Sequence, residues 1–229
     1  MDQCLKGNAF NFSYNGGANI GSYSWDFGDG SPASTMANPV HTYTNSGNYT
    51  ATLNITDVDG CSNSSTLDVE VFPAVQADFD FTPVCFGQNT DFTDLSNTNG
   101  VAIQSWDWDF GNGNTSNVQN PGETYTNFGF FNTRLIVTTA QGCADTLIQQ
   151  TEVFEQPQAN FNFTNACENL PVSFTETSVV VSSTLSYNWD FGDGQSAAVA
   201  NPDHQYVGFG TFPVNLIITT QNGCTDQFQ

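Results

Sequence analysis

The side chains with chemical reach are few, and they recur in step. Six cysteines fall as Cys4 and Cys61, Cys85 and Cys143, Cys167 and Cys224, two in each of three stretches at nearly constant separation. That pattern predicts three disulfides, each closed within its own stretch: Cys4–Cys61, Cys85–Cys143 and Cys167–Cys224. The competing arrangement joins Cys61 to Cys85 and Cys143 to Cys167, bolting neighbours together and leaving the end cysteines single. Zinc fits neither, since no Cys-x-x-Cys pair or histidine cluster occurs. A chain using cysteine in this way belongs outside the cytoplasm, at a cell surface or secreted.

Carboxylates are the other abundant reactive group. Asp and Glu number 23 against Lys6 and Arg134, for a formal net charge of −21. Such a surface repels phosphate backbones, which sets nucleic acid aside as a partner, and it repels anionic membranes and further copies of itself. Divalent cations are its natural counter-ions. Asp26, Asp29, Asp190 and Asp193 are the candidate calcium set, with Asp57 and Asp59 at an opposite loop, although no EF-hand spacing is present. The stronger expectation for these carboxylates is turn formation.

For catalysis the inventory is thin. His41 and His204 occupy equivalent places where the middle stretch has Glu123, and no Gly-x-Ser-x-Gly, His-Glu-x-x-His or phosphate-cradling glycine loop occurs. Asp26 and Asp29 recur with the repeat, which a glycosidase pair would not do. The expectation is a non-enzymatic chain with no catalytic residue and no cofactor beyond a calcium ion.

The elements that must position these groups are strands. Trp25-Asp-Phe-Gly-Asp-Gly30, Trp108-Asp-Phe-Gly-Asn-Gly113 and Trp189-Asp-Phe-Gly-Asp-Gly194 recur about every 82 residues, followed in register by Asn38-Pro39, Asn120-Pro121 and Asn201-Pro202. Within each copy polar and apolar residues alternate: Tyr49, Ala51, Leu53 and Ile55 face one way, Thr50, Thr52, Asn54 and Thr56 the other. Alternation with one wet face predicts two antiparallel sheets packed together, seven or so short strands per copy, with Trp25, Trp108 and Trp189 in the cores. The fold class is all-β: three tandem immunoglobulin-like sandwiches, 1–72, 73–155 and 156–229, joined by short proline-bearing linkers. Aligned on the cysteines, the first lacks its first strand and the third its last, so both terminal copies are incomplete at an edge. Trp106, two residues before Trp108, is the odd one of the four tryptophans, and core extension is its expected use. No run approaches the ~20 apolar residues that span a bilayer.

Trp-Asp-Phe-Gly-Asp-Gly, then Asn38-Pro-x-His-x-Tyr43, then Gly47-x-Tyr-x-Ala-x-Leu-x-Ile55, resembles the PKD repeat, the polycystin-type immunoglobulin-like domain, and the resemblance covers essentially the whole chain. It implies an extracellular β-sandwich of about this size and allows calcium near the motif turn. The paired cysteines and Asn/Thr-rich style are similar to arrays on secreted and cell-surface proteins of Bacteroidota-type bacteria, gliding-motility adhesins among them. Copy two departs from the motif at Asn112 and Glu123. The expected role is a stalk or spacer of a surface adhesin, its partners neighbouring repeats or other copies of the chain, with a surface glycan or protein as ligand. The alternatives are the body of an extracellular filament built by strand complementation and accessory binding modules of a secreted hydrolase.

Overall fold

The computed structural model describes residues 2–167 and 170–229, and their regular structure is strand throughout. No helix long and apolar enough to cross a membrane occurs among them. Each copy is organised on a hairpin: Gly47–Asp57 runs antiparallel to Ser62–Phe72, Gly129–Thr139 to Ala144–Phe154, and Asn215–Thr220 to Thr225–Phe228. Alternation decides which face each strand buries. Ala51 and Leu53, with Val69 and Val71 across the hairpin, turn inward, while Asn54 and Asp68 stay exposed.

The motif strand pairs with the outer side of the first hairpin arm in every copy, as Ile20–Asp26, Ile103–Asp109 and Leu185–Asp190. A smaller sheet closes the sandwich. In the middle copy it is Phe79–Phe81, Asn89–Asp94 and Gly122–Thr124; in the third, Phe161–Phe163, Val172–Glu176 and Asp203–His204; in the first, Phe10–Asn11 with Val40–His41. Between the layers Trp108 and Trp189 are fully buried. Phe92 and Phe79 sit on Trp108 with ring centroids 5.6 and 5.1 Å away, and Phe174 and Phe161 on Trp189 at 5.4 and 4.9 Å.

The first copy has no counterpart of Phe79–Phe81 among the described residues. A groove of about 600 Å³ runs there instead, lined by Phe12, Trp25, Leu53, Ile55 and Leu67. A second groove, of about 580 Å³, lies along Phe161, Cys167, Phe174, Tyr206 and Phe212 in the third copy. In the middle copy the far half of Ala144–Phe154 occupies the equivalent place, pairing with Val84–Cys85 and burying Thr151 and Val153.

The cysteine pairing departs from expectation. The bonds are Cys4–Cys143 and Cys85–Cys224, each spanning 139 residues and joining one copy to the next, and Cys61 and Cys167 are free and exposed. Strand length is the physical reason. Cys4 lies beside Phe72, in parallel register at the linker end of its copy, whereas Cys61 sits in the turn before Ser62, at the other end of the same strand. Ten residues of strand separate the two ends by about 33 Å, and a disulfide needs Cα atoms within about 7 Å. The Cys61–Cys85 alternative fails for the same reason, since those residues lie at the far ends of neighbouring copies. The linker end of one copy meets the turn end of the next, and that brings Cys4 to Cys143 with Cα atoms 5.5 Å apart.

Candidate functional site

Two constructions recur, the motif turn in each of the three copies and the junction between each copy and the next. In the turn, the first carboxylate accepts a hydrogen bond from the amide two residues on: Asp26 from Gly28 at 2.9 Å, Asp109 from Gly111 and Asp190 from Gly192 at 3.0 Å. These glycines are required. Gly28 has φ of +77°, and a β-carbon there would lie 2.7 Å from the Thr50 carbonyl oxygen; Gly111 and Gly192 are equally confined. The second motif residue repeats the device, with Asp29, Asn112 and Asp193 accepting from the amides of Ser31, Asn114 and Gln195 at 3.0 Å.

The other oxygen of Asp29 accepts from His41 Nε2 at 2.8 Å, and Asp193 has the same contact with His204. Each imidazole lies flat on a phenylalanine, His41 on Phe27 at 3.9 Å and His204 on Phe191 at 4.0 Å. A tyrosine closes the far edge, and its hydroxyl donates to that phenylalanine's carbonyl, Tyr43 to Phe27 at 3.0 Å and Tyr206 to Phe191 at 3.1 Å. Burial pushes the Tyr43 phenol up to about 12, with the charge of Asp29 acting in the same direction. Burial would also raise the Asp29 carboxyl, but hydrogen bonds from Ser31 and His41 outweigh it and hold the group below the usual range.

The two departures of the middle copy prove to be one. Asn112 Nδ2 donates to Glu123 Oε1 at 2.9 Å, and Asn114 Nδ2 donates to the same oxygen at 2.7 Å. Donor and acceptor have changed places across the pair, so the link survives. Asp29→Asn alone is expected to cost about 1–2 kcal/mol of first-copy stability, and His41→Glu on top of it to recover part of that loss. Urea unfolding of the two single variants and the double variant checks this, with a favourable coupling of about 1 kcal/mol expected. Strict additivity would show that the two positions do not communicate. The sign of the pH dependence follows from the depressed carboxyl: the Asp29 contribution is whole above about pH 4 and fades as the pH falls through the folded value, a fade that Asp29→Asn removes.

As chemistry, this is an acid–base pair put to structural use, its imidazole closed between rings. Each of the four aspartates expected as calcium ligands accepts from a turn amide, Asp29 and Asp193 from a histidine as well. Among the described residues no group of three or more His, Cys, Asp or Glu side chains could hold a metal ion. Trp106 is tied to its own copy, donating from Nε1 to Asp94 at 2.7 Å and packing against the core.

The junction is a larger construction than its sulfurs. Leu5 and Phe86 donate their amides to the carbonyls of Phe72 and Phe154, laying each first cysteine along the end of its copy's last strand. Cys4 and Phe72 pack against the middle copy's core. Lys6, one of only two basic residues, reaches across to Asp145 at 2.5 Å, and the other oxygen of Asp145 accepts from the Ala77 amide at 3.0 Å. At the second junction Asp226 accepts from the Ala159 amide at 2.7 Å, and Gln156 Nε2 donates to the Thr225 carbonyl at 2.5 Å. The far cysteine of each bond is sealed in, Cys143 at 2% exposure and Cys224 at 1%.

The PKD domain family model matches residues 6–71, 72–155 and 154–229. The chain is 28% identical over 142 residues to the pre-pro-metalloprotease PrtV of Vibrio cholerae, covering 60% of this chain and 15% of that protein. It is 26% identical over 233 residues to human polycystin-1, covering 87% of this chain and 5% of that one. The chain thus spans a small part of these relatives. The N-terminal eight Ig domains of the Down Syndrome Cell Adhesion Molecule superpose on 99% of the chain, with a TM-score of 0.58 over 35% of that structure and 13% identity, a likeness of fold alone. Three family matches in tandem, on three sandwiches built around the same tryptophan turn, place the chain in the PKD domain family.

Proposed function

We propose that this chain is a non-enzymatic, extracellular spacer, the stalk of a surface adhesin, and that it works by resisting bending and extension. The observation that carries the reading is the stagger of the disulfides. Bonds closed within each copy would stabilise the copies and leave the linkers free to swing. Bonds running from each copy to the next fix the angle between neighbours, at the cost of two exposed sulfurs. The acidic surface supports the same reading, since like charge spaced along an array favours its extended form. An oxidising compartment is implied by the bonds themselves.

Small-angle scattering of the oxidised and reduced chain tests it. The oxidised chain is expected to give one narrow distribution of interatomic distances, insensitive to salt; reduction should broaden it and shorten its mean while strand content stays constant. Equal flexibility in both states would remove the spacer reading. A second reading, accessory modules of a secreted hydrolase, is favoured by the likeness to PrtV. It predicts that the chain binds polymeric substrate on its own, in a pull-down with insoluble glycan or protein.

A further inference from the structure

The second junction holds a carboxylate that its sulfurs do not explain. Glu155 follows directly on Phe154, the end of the middle copy's last strand, and at 8% exposure it is the one buried acid among the described residues. Burying a charge is costly unless donors replace the water it loses. Three donors do so here, all from the loop of the third copy that leads into Leu185–Asp190. The Val181 amide donates to Oε1 at 2.5 Å, and the Ser182 amide and hydroxyl donate to Oε2 at 3.0 and 3.2 Å. Both oxygens are engaged, and hydrogen bonds to an ionised acceptor are about twice as strong as neutral ones.

This attachment is separate from the disulfide. Cys85 lies beside Phe154 in parallel register, so the bond to Cys224 and the carboxylate of Glu155 leave from one strand end. They land at different places on the third copy, one on the turn at Cys224 and the other on the loop at Val181 and Ser182. A single bond beside a linker leaves the neighbour room to turn; a second anchor takes that room away. The first junction is built otherwise. Pro73 stands in the place of Glu155 and Ala74 in that of Gln156, so the linker sends out no polar side chain there. The loop reaches back instead, Asn99 Nδ2 donating to the Ala74 carbonyl at 3.0 Å, and Cys4 and Phe72 pack against the middle copy's core.

We infer that Glu155 is a latch: its carboxylate, held by the Val181 and Ser182 amides, sets the angle between the second and third copies. The first junction carries no carboxylate at that place, so the two joints are held by different forces and can be loosened one at a time. The latch stands apart from the spacer reading, since a chain whose first joint swung freely would defeat that reading and leave this one standing. Removing the side chain of Glu155 should free the third copy to turn about its disulfide and linker, while the first two copies stay fixed to each other.

Residual dipolar couplings and amide exchange of the whole oxidised chain test this. In the unaltered chain one alignment tensor should fit the amides of the second and third copies together. Glu155→Ala should need a separate tensor for each of them, with the first and second copies still sharing one, and the Val181 and Ser182 amides should exchange faster by about tenfold or more. Glu155→Gln keeps the reach of the side chain but turns an NH2 toward one of the donors, so one of the two amides should lose protection and the angle should loosen less. Glu152→Gln removes the same charge from the outward face of the same strand, opposite Phe130, and should change neither reading. If Glu155→Ala does not fold, the exchange of the two amides in Glu155→Gln decides alone. The latch is overturned by one tensor fitting the second and third copies in Glu155→Ala, by unchanged exchange of both amides in Glu155→Gln, or by a first joint that loosens as much as the second. Loosening of the second joint in Glu152→Gln would overturn it equally, by showing that net charge and not the contact is at work.

Discussion

Pulled by its ends, the oxidised chain is expected to reach its contour limit at roughly 200 Å between the outer joints, against roughly 760 Å after reduction. The topology of the sulfurs sets the difference. Cys4 and Cys143 form one joint and Cys85 and Cys224 the other, so three covalent paths run between them in parallel: Cys4 to Cys85, Cys85 to Cys143, and Cys143 to Cys224. The shortest, Cys85 to Cys143, is roughly 58 residues and limits the whole, whereas the reduced chain can pay out all of the roughly 220 residues from Cys4 to Cys224. Before that limit, load divides among three folded paths, so each hairpin carries a share of it. Bonds closed within single copies would give a series arrangement in which the copies unravel one after another. Force spectroscopy with and without reductant separates the two: three sequential unfolding steps in the oxidised chain would show that the staggered joints do not form, and one short extension would show that they do.

The sandwich could be read from the sequence because its determinants are local. Alternation along Tyr49–Ile55 fixes which face of that strand is buried, and Trp-Asp-Phe-Gly-Asp-Gly fixes the turn, so neither needs knowledge of the rest of the chain. The sulfur pairing could not be read, because equal spacing of cysteines in a repeat fits any constant offset between partners. Choosing among offsets requires knowing that Cys4 and Cys61 lie at opposite ends of one long strand, which depends on the parallel pairing of Gln3–Cys4 with Val71–Phe72. Two residues carry no strand signal of their own, and that pairing was invisible. The Asn112–Glu123 exchange was visible in its parts and not as a pair. Each departure stood at a place the repeat had marked, and both fell in one copy, which was the available hint; only the 2.9 Å contact joins them.

Trp108→Ala is expected to cost the middle copy about 3–5 kcal/mol, the largest single-residue effect on stability in the chain. The indole is fully buried, three aromatic neighbours (Phe79, Phe92 and Phe110) lie with ring centroids within 6.4 Å of it, and its Nε1 donates to the Val118 carbonyl at 3.0 Å. Trp25→Ala should cost less, because that ring already borders the first copy's groove and its buried Nε1 has no hydrogen-bond partner. For the same reason Trp25→Phe should be milder than Trp108→Phe, since only the second loses a made hydrogen bond. The joints decide how far the damage shows. An unfolded middle copy stays tethered between two bonded sites about 58 residues apart, which on the chain-entropy model disfavours its unfolding by about 4 kcal/mol. Set against a domain stability of about 5–15 kcal/mol, that is enough to keep a weakened copy folded. Calorimetry of Trp108→Ala should therefore show one transition lowered by more than about 10 °C, with a further fall on reduction. If reductant left that transition in place, the tether would contribute nothing, and the joints would act on the angle between copies alone.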